Sequence, residues 1–327
     1  MGSPNHTFPL KPDYAEAHYN LGNALQTQGN LDMAVEHYSK ALSFRPGYVQ
    51  AHNNLGVALQ AQGKLEMAVE HYQKALLLKP DHASAHNNLG NALRVLGKLE
   101  TAIEHYQKAL YLKPDYAEAH NNLGTALQAH NWLDAAIDSF RSALAIKPDY
   151  AEAHFNLGNV LFAQDKLDQA VEHYQKALLL NPYRADARNN LGSTLRLQGK
   201  LDAAIVVYHQ AVSLNPDFFE AYSNLGGALL EQGNLDEAVA SCHRAVALRP
   251  DHAEARFNLF YTQLYCCDWT QYTRNMESIV NAVNQGTLAA PFSFIAISVS
   301  AQLNCSRTYL AHHQRNHAAR VERGLVP

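Results

Sequence analysis

The sequence is short of the features on which most functional classes depend. No apolar run approaches the ~18 residues that a membrane-spanning helix needs. Met1–Lys11 has neither the charged start nor the apolar middle of a secretory signal. Only four cysteines occur in 327 residues (Cys242, Cys266, Cys267 and Cys305), with no Cys-x-x-Cys pair, which leaves no disulfide framework. Basic clusters are missing, and a net charge of −4 argues against a nucleic-acid partner. No Ser/His/Asp or Cys/His set stands at meaningful spacing, and no glycine-rich phosphate loop occurs. These absences predict a reducing, cytoplasmic setting and no cofactor.

What is present is a period. Proline stands at 12, 46, 80, 114, 148, 182, 216 and 250, every 34 residues. A fixed period of that length marks a stacked array of small identical units, and functional positions must then share the period. Residues 15–48 form the first unit. Ala17, Leu21, Ala24 and Leu25 place one apolar face on a helix over Ala15–Gln28. Gly29-Asn30 turns the chain. Leu31, Ala34, Val35, Tyr38, Ala41 and Leu42 mark a second helix, stopped at Pro46, which cannot continue the hydrogen-bond ladder. Asp13 and Glu16 have the spacing of a capping box, repeated at 115–118, 149–152, 217–220 and 251–254.

Glycine recurs inside each first helix, at 22, 56, 90, 124, 158, 192 and 226. Each costs about 1 kcal/mol relative to alanine. Close approach of the paired helix is the expected compensation. Ala34, Ala68, Ala102, Ala136, Ala170, Ala204 and Ala238 are its small partners, and an aromatic four positions on (Tyr38, Tyr72, Tyr106, Phe140, Tyr174, Tyr208) fills the adjoining groove.

Leu21-Gly22, Ala34, Tyr38, Ala41 and Pro46, restated every 34 residues, resemble the tetratricopeptide repeat. The family's first-helix Trp is replaced here by His18, His52, His86, His120 and His154, then Arg188, Tyr222 and Arg256. The resemblance implies an all-α, right-handed superhelix, an α-solenoid whose concave face is built mainly from first helices. Seven units occupy 15–252, with 1–14 read as the tail of a preceding repeat at a cut N-terminus.

Unit positions 2, 6, 9 and 13 share one helical face; in the first unit they are Glu16, Asn20, Asn23 and Thr27. The sixth position is always asparagine: Asn20, Asn54, Asn88, Asn122, Asn156, Asn190, Asn224 and Asn258. An amide offers both donor and acceptor, so such a ladder can hold a guest polypeptide by its backbone. A bond from each Asn to a neighbouring helix is the competing reading. A groove-facing ladder predicts that Ala at 88, 122, 156 and 190 weakens peptide binding with melting nearly unchanged. The acidic residues at position 2 are assigned to capping, except Asp186, which follows Pro182-Tyr-Arg and is left to touch a guest.

Eighteen histidines raise the question of a metal. Successive members of the His18, His52, His86 series lie too far apart to share an ion with bonds of about 2 Å. His37, His71, His105 and His173 are placed on the outer face, and no metal site is predicted.

The period fails after residue 258, where Phe260 replaces Gly, and Tyr272 and Ile279 replace alanines. Residues 253–284 read as a divergent eighth unit and 285–323 as a helical extension; 324–327 resembles a vector remnant. Cys267-Asp-Trp-Thr-Gln-Tyr272 resembles the junction of O-linked N-acetylglucosamine transferases and the related SPINDLY-type fucosyltransferases, where the repeat arm meets the catalytic lobes. That resemblance implies a substrate-recruiting arm holding acceptor polypeptides through the same asparagines, without catalytic residues in this chain. A stand-alone scaffold that assembles protein complexes is the alternative. An end unit or the outer face could also pair with a second copy.

Overall fold

A computed structural model describes residues 14–265; the junction motif at 267–272 and the extension beyond it lie outside the described residues. Every described element is an α-helix, and the chain divides into two compact units, residues 1–160 and 161–327. In the first unit α1 (Tyr14–Thr27) pairs with α2 (Leu31–Phe44), and α3 (Val49–Ala61) with α4 (Leu65–Leu78). The pairs α5 (Ala83–Val95) with α6 (Leu99–Leu112) and α7 (Ala117–Ala129) with α8 (Leu133–Ile146) follow. The division falls within α9 (Ala151–Ala163). The second unit holds α10 (Leu167–Leu180), the pair α11 (Ala185–Leu197) and α12 (Leu201–Leu214), the pair α13 (Phe219–Gln232) and α14 (Leu235–Leu248), and α15 (Ala253–Tyr265).

Each hairpin turns through a residue with positive φ. Glycine takes this place at Gly29 (φ 77°), where a side chain would be strained. Asn131 (φ 64°) and Asp165 (φ 58°) take it where glycine is missing, as the short polar residues that tolerate the left-handed region best. The second helices end two residues before each repeating proline, as the period requires.

The core of a hairpin is an aromatic ring laid across a helix backbone. Tyr38, Tyr72, Tyr106, Phe140, Tyr174 and Tyr208 are buried, beside alanines that are equally hidden. A Cβ added at Gly22 would stand 2.6 Å from Tyr38 Cε1, and one at Gly90 2.7 Å from Tyr106 Cε1. The glycines therefore make room for the rings themselves rather than for the alanines assigned to them from the sequence. Gly226 faces the sulfur of Cys242, which replaces the aromatic in α14.

Two sequence expectations fail at the first-helix N-termini. The residues flanking α7 and α13 are Tyr116 and Phe218, and neither side chain caps its helix. Asp115 and Asp217 thus sit one position too far out to close a capping box, which leaves Glu118 and Glu220 exposed on the first turn without that role.

Candidate functional site

The asparagine series is built by α1, α3, α5, α7, α9, α11, α13 and α15, at the same position of each first helix. Its side chains are half-buried from Asn54 onward, and Asn20 is exposed. Six of them, Asn54, Asn88, Asn122, Asn156, Asn224 and Asn258, donate to the preceding repeat. In the first unit the Nδ2 of Asn88 donates to Asn53 Oδ1 at 3.1 Å, that of Asn122 to Asn87 at 3.0 Å, and that of Asn156 to Asn121 at 3.0 Å. Asn54 donates to Asn23 Oδ1 at 2.9 Å and lies 3.1 Å from the Tyr19 hydroxyl. In the second unit Asn224 donates to Asn189 at 2.8 Å and Asn258 to Ser223 Oγ at 2.9 Å. The acceptor usually stands 35 residues earlier, at unit position 5. Phe155 occupies that position for Asn190, which accepts from Asn189 at 3.3 Å instead.

The neighbouring-helix bond therefore exists, and it does not exhaust the amide. A primary amide has two N–H donors and an acceptor oxygen. For Asn88, Asn122 and Asn156 the bond to the preceding repeat uses one N–H and orients the group. The position-5 partners Asn53, Asn87, Asn121 and Asn189 are buried. They went unrecognised in the sequence, although the repeated Asn-Asn dipeptide carries the signal.

Polar residues on and beside the stripe are engaged with the core. Tyr106 donates to Asn91 Oδ1 at 2.7 Å, Tyr208 to Ser193 Oγ at 3.0 Å, and Tyr72 to Gln60 Oε1 at 3.1 Å. Burial raises the Tyr106 hydroxyl to about 12, so it stays a donor. Asp186 is not the free acid expected. Arg184 clamps it through Nε (3.0 Å) and Nη2 (3.1 Å), and Asp186 also accepts from the Ala187 amide at 2.8 Å.

The histidines also depart from expectation. His37, His71 and His105 face inward across the hairpin, their Nδ1 atoms 2.8, 3.1 and 2.9 Å from those of His18, His52 and His86. His52 Nε2 donates to the Pro46 carbonyl at 2.9 Å, and His86 to that of Pro80 at 3.1 Å. That bond leaves Nδ1 of a neutral His52 or His86 as a bare acceptor, so His71 or His105 supplies the shared proton. Burial lowers His71 and His105 to about 4, with the paired histidine and Lys74 or Lys108 adding to the shift. Among the described residues, no group of three or more His, Cys, Asp or Glu is placed to hold a metal.

In the second unit Arg188 occupies the histidine seat. It bonds the Pro182 carbonyl through Nη1 and Gln210 Oε1 through Nε at 3.3 Å. At the next seat stands Tyr222, and Arg244 of α14 reaches the Pro216 carbonyl at 3.1 Å in its place. Glutamines lace both units along the hairpin edge: Gln62 donates to Asp32 and Gln198 to Asp168, each at 2.8 Å.

Family models described as tetratricopeptide repeat match residues 15–48, 47–110, 151–183, 173–206 and 219–252. A further TPR repeat model matches 90–131, 129–165 and 192–233, so the matches run unbroken from 15 to 252. The crystal structure of YrrB, described as a TPR protein with an unusual peptide-binding site, is similar at 27% identity and a TM-score of 0.50. The match covers 57% of this chain and 96% of YrrB. PilF of Pseudomonas aeruginosa (22% identity, TM-score 0.59) covers 64% of this chain and 95% of its own. The Cut9–Hcn1 assembly of APC/C (20% identity, TM-score 0.61) covers 76% and 46%. Those two likenesses concern the fold alone. No curated protein matches the chain.

Proposed function

Because the chain belongs to the tetratricopeptide-repeat family, we propose that it is a polypeptide-binding module that holds extended guest segments by their backbones along the position-6 asparagines. The carrying observation is the fixed amide. Asn88, Asn122 and Asn156 each commit one N–H to the preceding repeat. The remaining N–H and Oδ1 are the complementary pair that a guest peptide group needs. Neighbouring helices lie ~8–10 Å apart, and an extended chain advances ~3.3–3.6 Å per residue. One rung then meets about every third guest residue, whatever its side chain. The likeness to YrrB, described as a TPR protein with an unusual peptide-binding site, supports the same reading.

The module's proposed role is the substrate-recruiting arm of an O-GlcNAc-transferase-like glycosyltransferase. Its support is the Cys267–Tyr272 motif and the asparagine register, both features of the sequence. Glycosyltransferase lobes following the arm in the parent reading frame are the expected finding. A stop codon or an unrelated domain there would favour the stand-alone scaffold.

The rungs need a test that respects their bonds. Asn122→Ala alone orphans the buried Asn87 oxygen, at a cost of about 1–3 kcal/mol. Simple alanine variants should therefore lower the melting temperature as well, against the nearly unchanged melting that a groove-facing ladder predicts. Removing partner pairs together (Asn87→Ala with Asn122→Ala, and Asn121→Ala with Asn156→Ala) limits that loss. Titration of a flexible 15-residue peptide should show the paired variants binding at least about tenfold more weakly. Undiminished binding by folded paired variants would make the ladder purely structural.

A further inference from the structure

A ladder that repeats identically reads backbone, so any preference for a guest's side chains must come from residues that break the repeat. In the second unit one such break encloses a cavity of about 480 Å³, within the usual range of ligand pockets. Its floor is Gly227, at stripe position 9, where the other first helices carry Asn, Val, Thr or Ser, and α15 carries Tyr261. A Cβ there would lie 3.4 Å from Arg196 Nη1, so glycine leaves the space beside the guanidinium open. Leu230 and the rings of Phe257 and Tyr261 line the cavity, the two rings 6.0 Å apart and inclined by 15°. Asn258, a rung of the ladder, lies in the same wall.

Charge decides the occupant. Arg196 is already clamped by Glu231, with Nε 3.1 Å from both carboxylate oxygens and Nη2 2.5 Å from Oε1. The pair is neutral as a whole. An acidic guest side chain would have to displace Glu231, and a basic one Arg196. The guanidinium face and the two rings instead offer stacking surfaces for a flat, uncharged group.

We infer that this cavity is a side-chain pocket for an aromatic residue of the guest, entered while the guest backbone is held at Asn258. The inference rests on the backbone-ladder reading and adds selectivity to it. The pocket recognises one residue where the ladder recognises none.

The test uses the full chain, two probes and one filling variant. Gly227→Met extends a flexible, helix-compatible side chain into the cavity. The first probe is a set of 15-residue flexible peptides that differ only in a central Trp, Ala or Asp. Wild type should bind the Trp peptide about fivefold more tightly than the Ala peptide, with Asp no better than Ala. Gly227→Met should erase the preference, bringing the Trp peptide to the affinity of the Ala peptide. The second probe is N-acetyl-tryptophan amide, followed by saturation-transfer NMR, which reads the pocket without the ladder. Its signal should be present in wild type and lost in Gly227→Met. Equal binding of all three peptides, with no NMR signal, overturns the pocket and leaves the ladder standing. An NMR signal lost in the variant, without peptide binding, overturns the ladder and leaves an isolated aromatic site. A Trp preference that survives Gly227→Met also overturns the pocket.

Discussion

The two units solve one local problem with different chemistry. In the first, the carbonyls of Pro46, Pro80, Pro114 and Pro148 are bonded by histidines of the following first helix. In the second, Arg188 and Arg244 bond those of Pro182 and Pro216. The geometric requirement is the same: the carbonyl left after each second helix must find a donor. Histidine is a conditional donor whose partner across the hairpin must stay neutral; arginine is a donor at any physiological pH. Fold is thus indifferent to the choice, and response to acid is not.

The largest contrast is expected from the core. Tyr106→Ala in the first unit removes a buried ring and should cost about 3–5 kcal/mol. Cys242→Ala, at the corresponding place in α14, removes one buried sulfur and should cost about 1 kcal/mol. Urea denaturation of the two variants measures both, and equal losses would mean that the hairpins are not packed by the same residue position.

Acid should separate the units next. Above about 6.5 His71 and His105 are neutral whether folded or unfolded, and the pairs keep their shared proton. As pH falls from about 6.5 to about 4, the unfolded chain takes up protons that the folded hairpins resist, so stability declines across that window. The decline ends below about 4. Intrinsic-rate-corrected hydrogen exchange should show protection lost in α3–α6 before α11–α14, and His71→Gln with His105→Gln should narrow the difference, with His52, His82 and His86 carrying what remains. Uniform loss in wild type would remove the histidine pairs as its cause.

A transplant sharpens the point at smaller cost. Val207 precedes Tyr208 as His71 precedes Tyr72, so Arg188→His with Val207→His installs a pair in the second unit. The melting temperature should change by only a few degrees at pH 7.5 and drop clearly at pH 5. The smallest effect is predicted where the units agree. Gln62→Ala and Gln198→Ala each remove one edge bond and should cost about 0.5–1 kcal/mol alike.

The helices, their turns and their ends were legible because proline, glycine and apolar spacing act locally, within one 34-residue unit. The asparagine register was equally visible. What escaped reading depends on the third dimension. His37 was placed on the outer face because it precedes a core residue, and only the crossing of α1 and α2 brings it to His18. Asp186 looked free for want of a capping partner, whereas Arg184, two positions before it, folds back on it. A bond from Asn88 to a neighbouring helix is one of the two readings of the sequence, but its partner Asn53 went unnamed, because the bond joins residues from successive repeats.

That bond sets a rule for how such a chain can grow. A donor that finds its acceptor 35 residues back, in a 34-residue module, will face the same unit position whenever a whole module is copied or removed. Duplication of a module with Asn at position 5 would thus leave no amide stranded, and length is free to drift in steps of such a repeat. Phe155 is the scar in that arithmetic. Deleting residues 151–184 as a block would put Asn121 35 positions ahead of Asn190 and restore an amide at position 5.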